Sequence, residues 1–154
     1  MNNNDVLRRI RYAFDYNDAK IIEIFNLGGL KVTREEISDW LKKDDDPEFQ
    51  ECSDLQLALF LNGLIVDRRG KKEGQQPVPE KRMNNNIIFR KIKIALDLKA
   101  EDVLDILKLA DIEISKHELS AFFRKPGHKH YRNCMDQVLR KFLHGVQLKY
   151  RENE

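Results

Sequence analysis

The chain has 154 residues, 41% apolar and 35% charged, with a formal net charge of +2. That profile bounds one domain or two small ones with a real core and excludes the disordered and fibrous classes. No run approaches the ~18 apolar residues of a membrane span, the opening MNNND lacks a charged segment leading into an apolar one, and two cysteines give no disulfide framework, so the expectation is a cytoplasmic protein with no membrane association.

Val6, Leu7, Ile10, Ala13 and Phe14 recur at helical spacing and predict a first helix. The Asn2–Asn4 triplet stands at its start, where an Asn side chain can accept a hydrogen bond from an orphan N–H of the first turn. A cap needs one Asn. The expected role is cap and turn, and if the extra amides do more, contact between copies of the motif is the expected job. A second helix runs from about Asp18 to Leu27 and is stopped by Gly28-Gly29. Thr33-x-x-Glu36 fits a capping box, and Ile37, Trp40 and Leu41 give the helix it opens an apolar face. After the loop DDDPEFQECS, Ser53 or Asp54 begins a fourth helix with Leu57, Phe60, Leu61 and Leu64 on one side.

The stretch GKKEGQQPVPEKR, Gly70 to Arg82, reads as an exposed linker. From Met83 the whole order repeats. An offset of 82 residues aligns 1–70 with 83–152 without a gap, and 20 of the 70 pairs are identical. Among them are Arg8/Arg90, Asp15/Asp97, Glu36/Glu118, Cys52/Cys134, Asp54/Asp136 and Gly63/Gly145. Ile88, Phe89, Ile92, Ala95 and Leu96 reproduce the first helix, Glu101–Leu109 the second, Ser115-x-x-Glu118 the capping box of the third, and Leu139, Phe142, Leu143 and Val146 the fourth. No period-2 strand of any length is present. The predicted fold is all-α, two tandem copies of a roughly four-helix unit, with copies at 1–70 and 83–154 and a linker at 71–82.

The Asn triplet opening each copy, the downstream [FY]-x-x-C-x-D and the F-L-x-G run in the last helix resemble the YehS-like family of bacterial proteins, a two-copy family of unknown function. The resemblance covers both copies, Asn2–Arg69 and Asn84–Arg151. It implies a small cytoplasmic bacterial protein and brings no activity, cofactor or catalytic residue with it.

The residues supply chemistry sparingly. No glycine-rich phosphate loop, GxSxG elbow, HExxH or Cys/His pair with an orienting acid is present. The Asp15/Asp97 and Glu36/Glu118 carboxylates read as helix-end and capping charges, and Gly63 and Gly145 as sites of close helix packing. The expectation is therefore no enzyme, no cofactor and no metal. Cys52 and Cys134, each two residues before the Asp that opens the fourth helix, lie where a thiol pKa can fall, yet without a CxxC motif they read as buried filler. His128-x-His130, with Cys134 nearby, falls short of the four ligands of a structural zinc site.

The charge contrast between the copies is the most informative feature. Residues 1–70 carry 10 basic and 14 acidic side chains, and residues 71–154 carry 18 and 12. The loop DDDPEFQE in copy one has no basic residue, whereas its counterpart PGHKHYR follows Arg124-Lys125 directly. Lys125, His128, Lys129, His130, Tyr131 and Arg132 are therefore the candidate binding residues. They suit a protein or other anionic partner, or the acidic twin loop within the chain or across a dimer. Nucleic acid, held by the same loop with Arg90, Lys91 and Lys93, is the alternative. A helix-turn-helix reading is weak, because Glu35, Glu36 and Asp39 would face phosphate.

Overall fold

The computed structural model describes residues 1–74 and 76–151. They form eight helices and no strand: α1 (Asn3–Ala13), α2 (Asp18–Leu27), α3 (Arg34–Leu41), α4 (Asp54–Arg69), α5 (Asn85–Ala95), α6 (Ala100–Leu109), α7 (Lys116–Phe122) and α8 (Asp136–Tyr150). No helix among these residues is long and apolar enough to cross a membrane.

The starts of the helices follow their side-chain chemistry. Asn2 accepts from the Asp5 N–H at 2.8 Å while the Asp5 carboxylate accepts from the Asn2 N–H at 3.1 Å, a capping box. Thr33 with Glu36, Ser53 with Gln56 and Ser115 with Glu118 build the same device on α3, α4 and α7. The ends differ from the simple expectation. Asp15 and Asp97, just past α1 and α5, adopt φ of 53° and 54°, a left-handed geometry that Asp tolerates better than most residues. Gly28 stays right-handed and Gly29 takes φ +97°, as Asp111 does with φ 62° at the equivalent place. Gly28 is required by space. A Cβ there would lie 1.8 Å from the Leu59 carbonyl oxygen of α4.

Within each copy the second helix packs on the fourth and the third, α2 on α4 and α3, α6 on α8 and α7. Between copies the principal contacts are α1 on α8 and α4 on α5, which are the same contact under the repeat. The copies thus interlock instead of merely sharing a tether. A single cluster of buried side chains runs through both. Phe60 and Trp40 pack tilted against Phe25 at its copy-one end, with centroids 4.9 and 5.4 Å away. Phe89 and Phe142, 4.4 Å apart, do so in copy two. Fully buried side chains of this size contribute about 1.5–3 kcal/mol each by leaving water.

Matched polar ties reinforce the interlock. The Met1 ammonium donates to Asp136 at 2.9 Å, and the Met83 N–H to Asp54 at 3.0 Å. Arg69 donates to the Ile94 carbonyl at 2.9 Å and faces Asp97 at 3.3 Å. Arg151, its repeat equivalent, donates to the Tyr12 carbonyl and faces Asp15 at 3.7 Å. Asp15 and Asp97 therefore serve as partners of the opposite copy's arginine as well as helix-end charges.

The described residues between α4 and α5 are largely exposed, with Val78 78% accessible. Their C-terminal part is anchored, however. Glu80 lies 3.1 Å from the ammonium of Lys91, and that ammonium also donates to the Asn62 side chain at 2.6 Å.

Candidate functional site

The Asn triplets lead to the loop that carries the charge contrast. Asn4, 1% exposed, donates to the Trp40 and Gln50 carbonyls at 2.8 Å each and accepts from the Cys52 N–H at 3.0 Å. Asn86 repeats this with the Phe122 carbonyl at 3.0 Å, the Arg132 carbonyl at 2.8 Å and the Cys134 N–H at 2.9 Å. Asn3 bonds the Cys52 carbonyl and Asp54, and Asn85 bonds the Cys134 carbonyl and Asp136. The first Asn caps, and the second and third clamp both ends of their own copy's loop between third and fourth helices. The copy-to-copy contact expected of any further amide role is thus corrected: an Asn side chain in the first turn of the helix faces the loop packed beside it. The contact across copies is made by the preceding methionines.

These bonds set the local electrostatics. Asn3, then the Met83 N–H, hold the Asp54 carboxyl below the usual carboxylate range, and Asn85, then the Met1 ammonium, do the same for Asp136. Burial pushes both thiols up to about 12, with Asp54 or Asp136 adding to the rise. Cys52 and Cys134 are each 4% exposed and unpaired by any disulfide. They are packing residues, as the sequence suggested, and Cys134 is turned toward the Met135 carbonyl at 3.6 Å, not toward the histidines.

Between its clamped ends the loop closes with the same three backbone hydrogen bonds in both copies, although Gly127 takes φ +93° where its counterpart Asp45 stays out of the left-handed region. In copy two the His128 N–H donates to the Lys125 carbonyl at 3.0 Å, the Tyr131 N–H to the His128 carbonyl at 2.9 Å, and the Arg132 N–H to the Ala121 carbonyl at 3.2 Å. Asp46 to Lys43, Phe49 to Asp46 and Gln50 to Asp39 are the matching bonds in copy one. What also differs is charge. Lys125, His128, Lys129, His130 and Arg132 are exposed, and Tyr131 is half-buried. The His128 and His130 rings lie 5.5 Å apart and His117 of α7 adds a third ring 6.3 Å from His130. Sequence reasoning left His117 out because it sits eleven residues before His128 on another element.

Among the described residues, no carboxylate forms an ion pair with Lys125, Lys129 or Arg132. Two carboxylates of the copy-one loop instead find cations beside it: Asp44 faces Arg8 at 3.6 Å and Glu48 bonds Lys42 at 3.0 Å, while Lys42 also bonds Asp39 of α3 at 2.6 Å. Pairing of the acidic loop with the basic one inside the chain is therefore not what these residues do. Of the three α5 cations of the nucleic-acid alternative, Lys91 is corrected outright. It is 7% exposed and bound to Asn62 and Glu80 across the copy junction, so no phosphate can reach it. Lys93 is half-buried with its ammonium 5.5 Å from the Phe123 ring, and only Arg90 is exposed.

The residues proposed above as helix-end charges keep that place. Glu36 and Glu118 are the acceptors of the capping boxes on α3 and α7. Gly63 and Gly145 are packing sites: an added Cβ would lie 1.9 Å from the Ile24 carbonyl oxygen and 2.1 Å from that of Ile106.

Comparison with known proteins agrees with the duplication. A family model described as "Protein of unknown function (DUF1456)" matches twice, at residues 3–70 and 85–152. The Escherichia coli (strain K12) protein described as "Uncharacterized protein YehS" is 44% identical over 147 residues, 95% of this chain and 94% of the relative. No solved structure matches the chain.

Proposed function

This chain belongs to the DUF1456 family, and on that premise we propose that it is a non-enzymatic cytoplasmic docking protein whose second-repeat loop, residues 125–132, holds an acidic partner protein. One observation carries the reading: two loops closed by the same backbone hydrogen bonds differ in that Asp44 and Glu48 of the acidic one are paired by Arg8 and Lys42, while the basic one leaves its cations facing solvent. A surface of unpaired cations on clamped backbone loses little conformational freedom on binding and attracts acidic partners at long range. The Asn86 clamp supplies the preorganisation, and the Lys and Arg side chains supply the field.

Nucleic acid is the less favoured partner, because Lys91 is withdrawn from solvent and Tyr131 is half-buried instead of free to stack. Titration of the full chain with labelled polyglutamate and with single-stranded RNA, at low and at physiological salt, separates the two. Polyglutamate should bind, and its binding should weaken at least about tenfold in a K125A/K129A/R132A variant of unchanged melting temperature. Binding of RNA alone, or polyglutamate binding indifferent to the substitutions, overturns it.

A further inference from the structure

A cavity of about 530 Å³ lies outside the basic loop, between the C-terminal end of α2, one face of α4 and the linker. Its walls are mainly apolar, with Leu27, Leu59, Ile65, Val66, Pro77 and Pro79 among the lining residues. That size and character match small-molecule sites, which are apolar chambers with a few placed polar groups. Its chemistry is also one-sided. Lys71 and Lys72 line it and no carboxylate does. The C-terminal ends of α2 and α4 border the same cavity, and the lysines are opposite in sign to those dipole ends.

Asn62 supplies the placed polar group. It lies in the middle of α4, is 8% exposed, and lines the cavity. Its Oδ1 is engaged by the Lys91 ammonium at 2.6 Å. That bond fixes which end of the amide is oxygen, and so leaves the two Nδ2 donors to the other side. Among the described residues those donors make no hydrogen bond, and their nitrogen opens on the cavity. An amide whose oxygen is held by Lys91 and whose N–H groups face the cavity is oriented to donate to an acceptor inside it.

The repeat sharpens the contrast. The copy-two equivalents of Asn62 and Val66 are His144 and Leu148, and both are exposed, because the linker lies over the copy-one groove.

We propose that this chamber binds a monocarboxylate with an apolar body, the alkyl or aryl part lying against Leu59, Ile65 and Val66 and the carboxylate accepting from Asn62 Nδ2 within the field of Lys71 and Lys72. The test is calorimetric titration of the full chain with decanoate below its micellar range, beside decan-1-ol and decylamine. Decanoate should bind saturably at one site and more tightly than the other two. Asn62→Asp keeps an oxygen for Lys91, so the fold is preserved, but it replaces the donors with a negative charge. It should weaken decanoate by about tenfold or more. V66W, which fills the chamber without touching the polar group, should do the same. Absence of decanoate binding, equal binding of decylamine, or undiminished binding by a folded N62D protein overturns the proposal.

Discussion

Asn4 and Asn86 each tie three backbone groups that lie 36 to 48 residues away in sequence. Removing either side chain leaves buried carbonyl and N–H groups without partners, so N4A or N86A should lose about 1–3 kcal/mol each in urea unfolding. N84A, which removes only a cap, should lose about 1 kcal/mol. The cap was legible in sequence because it is a local rule. The clamp was not, because its acceptors are backbone atoms of a loop whose position depends on the fold. Asp54 and Asp136 make a prediction in pH. Their folded pKa values are depressed, chiefly by Asn3 and Asn85, so the native state holds protons less readily than the unfolded chain. Their contribution is complete above the unfolded carboxylate pKa of about 3.9 and is lost as pH falls through the folded values. Urea unfolding between about pH 5 and about pH 3 should therefore show a steeper loss for the native chain than for a D54N/D136N variant.

At the scale of elements, the eight helices were readable from apolar periodicity and capping boxes, and the linker from its Gly, Pro and charge. Lys91 was not. A single lysine on an amphipathic helix looks like a solvated charge, and only the meeting of α5 with α4 places it beside Asn62. The glycines were legible in kind but not in partner. Alanine ordinarily favours a helix interior over glycine by about 1 kcal/mol. At Gly63 and Gly145 the added methyl would run into the backbone carbonyls of Ile24 and Ile106, which have no rotamer to yield. G63A and G145A should therefore destabilise by about 1–3 kcal/mol despite their better propensity, measured by the shift in urea midpoint. A stabilised variant would contradict the close packing of α2 on α4 or α6 on α8.

For the whole molecule, the duplication was plain in sequence, but the way the copies join was not. Periodicity gives α1 and α4 their apolar faces without saying that α1 finds its main partner, α8, in the other copy, or that α4 divides itself equally between α2 and α5. Because the interface is also the core, the copies should unfold together. Trp40, the only tryptophan, reports on copy one, and a W40F/F122W variant moves the reporter to the equivalent place in copy two. The two proteins should show urea transitions that are each coincident with loss of helical circular dichroism; a reporter that separates from it would mean independently folding copies. On this shared scaffold the function is assigned to one loop, and the most direct test replaces that loop alone. Exchanging residues 126–132, PGHKHYR, for the copy-one segment DDDPEFQ changes the formal charge by −6, and K31E/K43E/K108E, at three exposed positions, changes it equally. In a polyglutamate titration at physiological salt, the loop exchange should abolish binding while the three distributed substitutions largely preserve it. Equal loss in both would show that net charge, not the loop, is what an acidic partner meets.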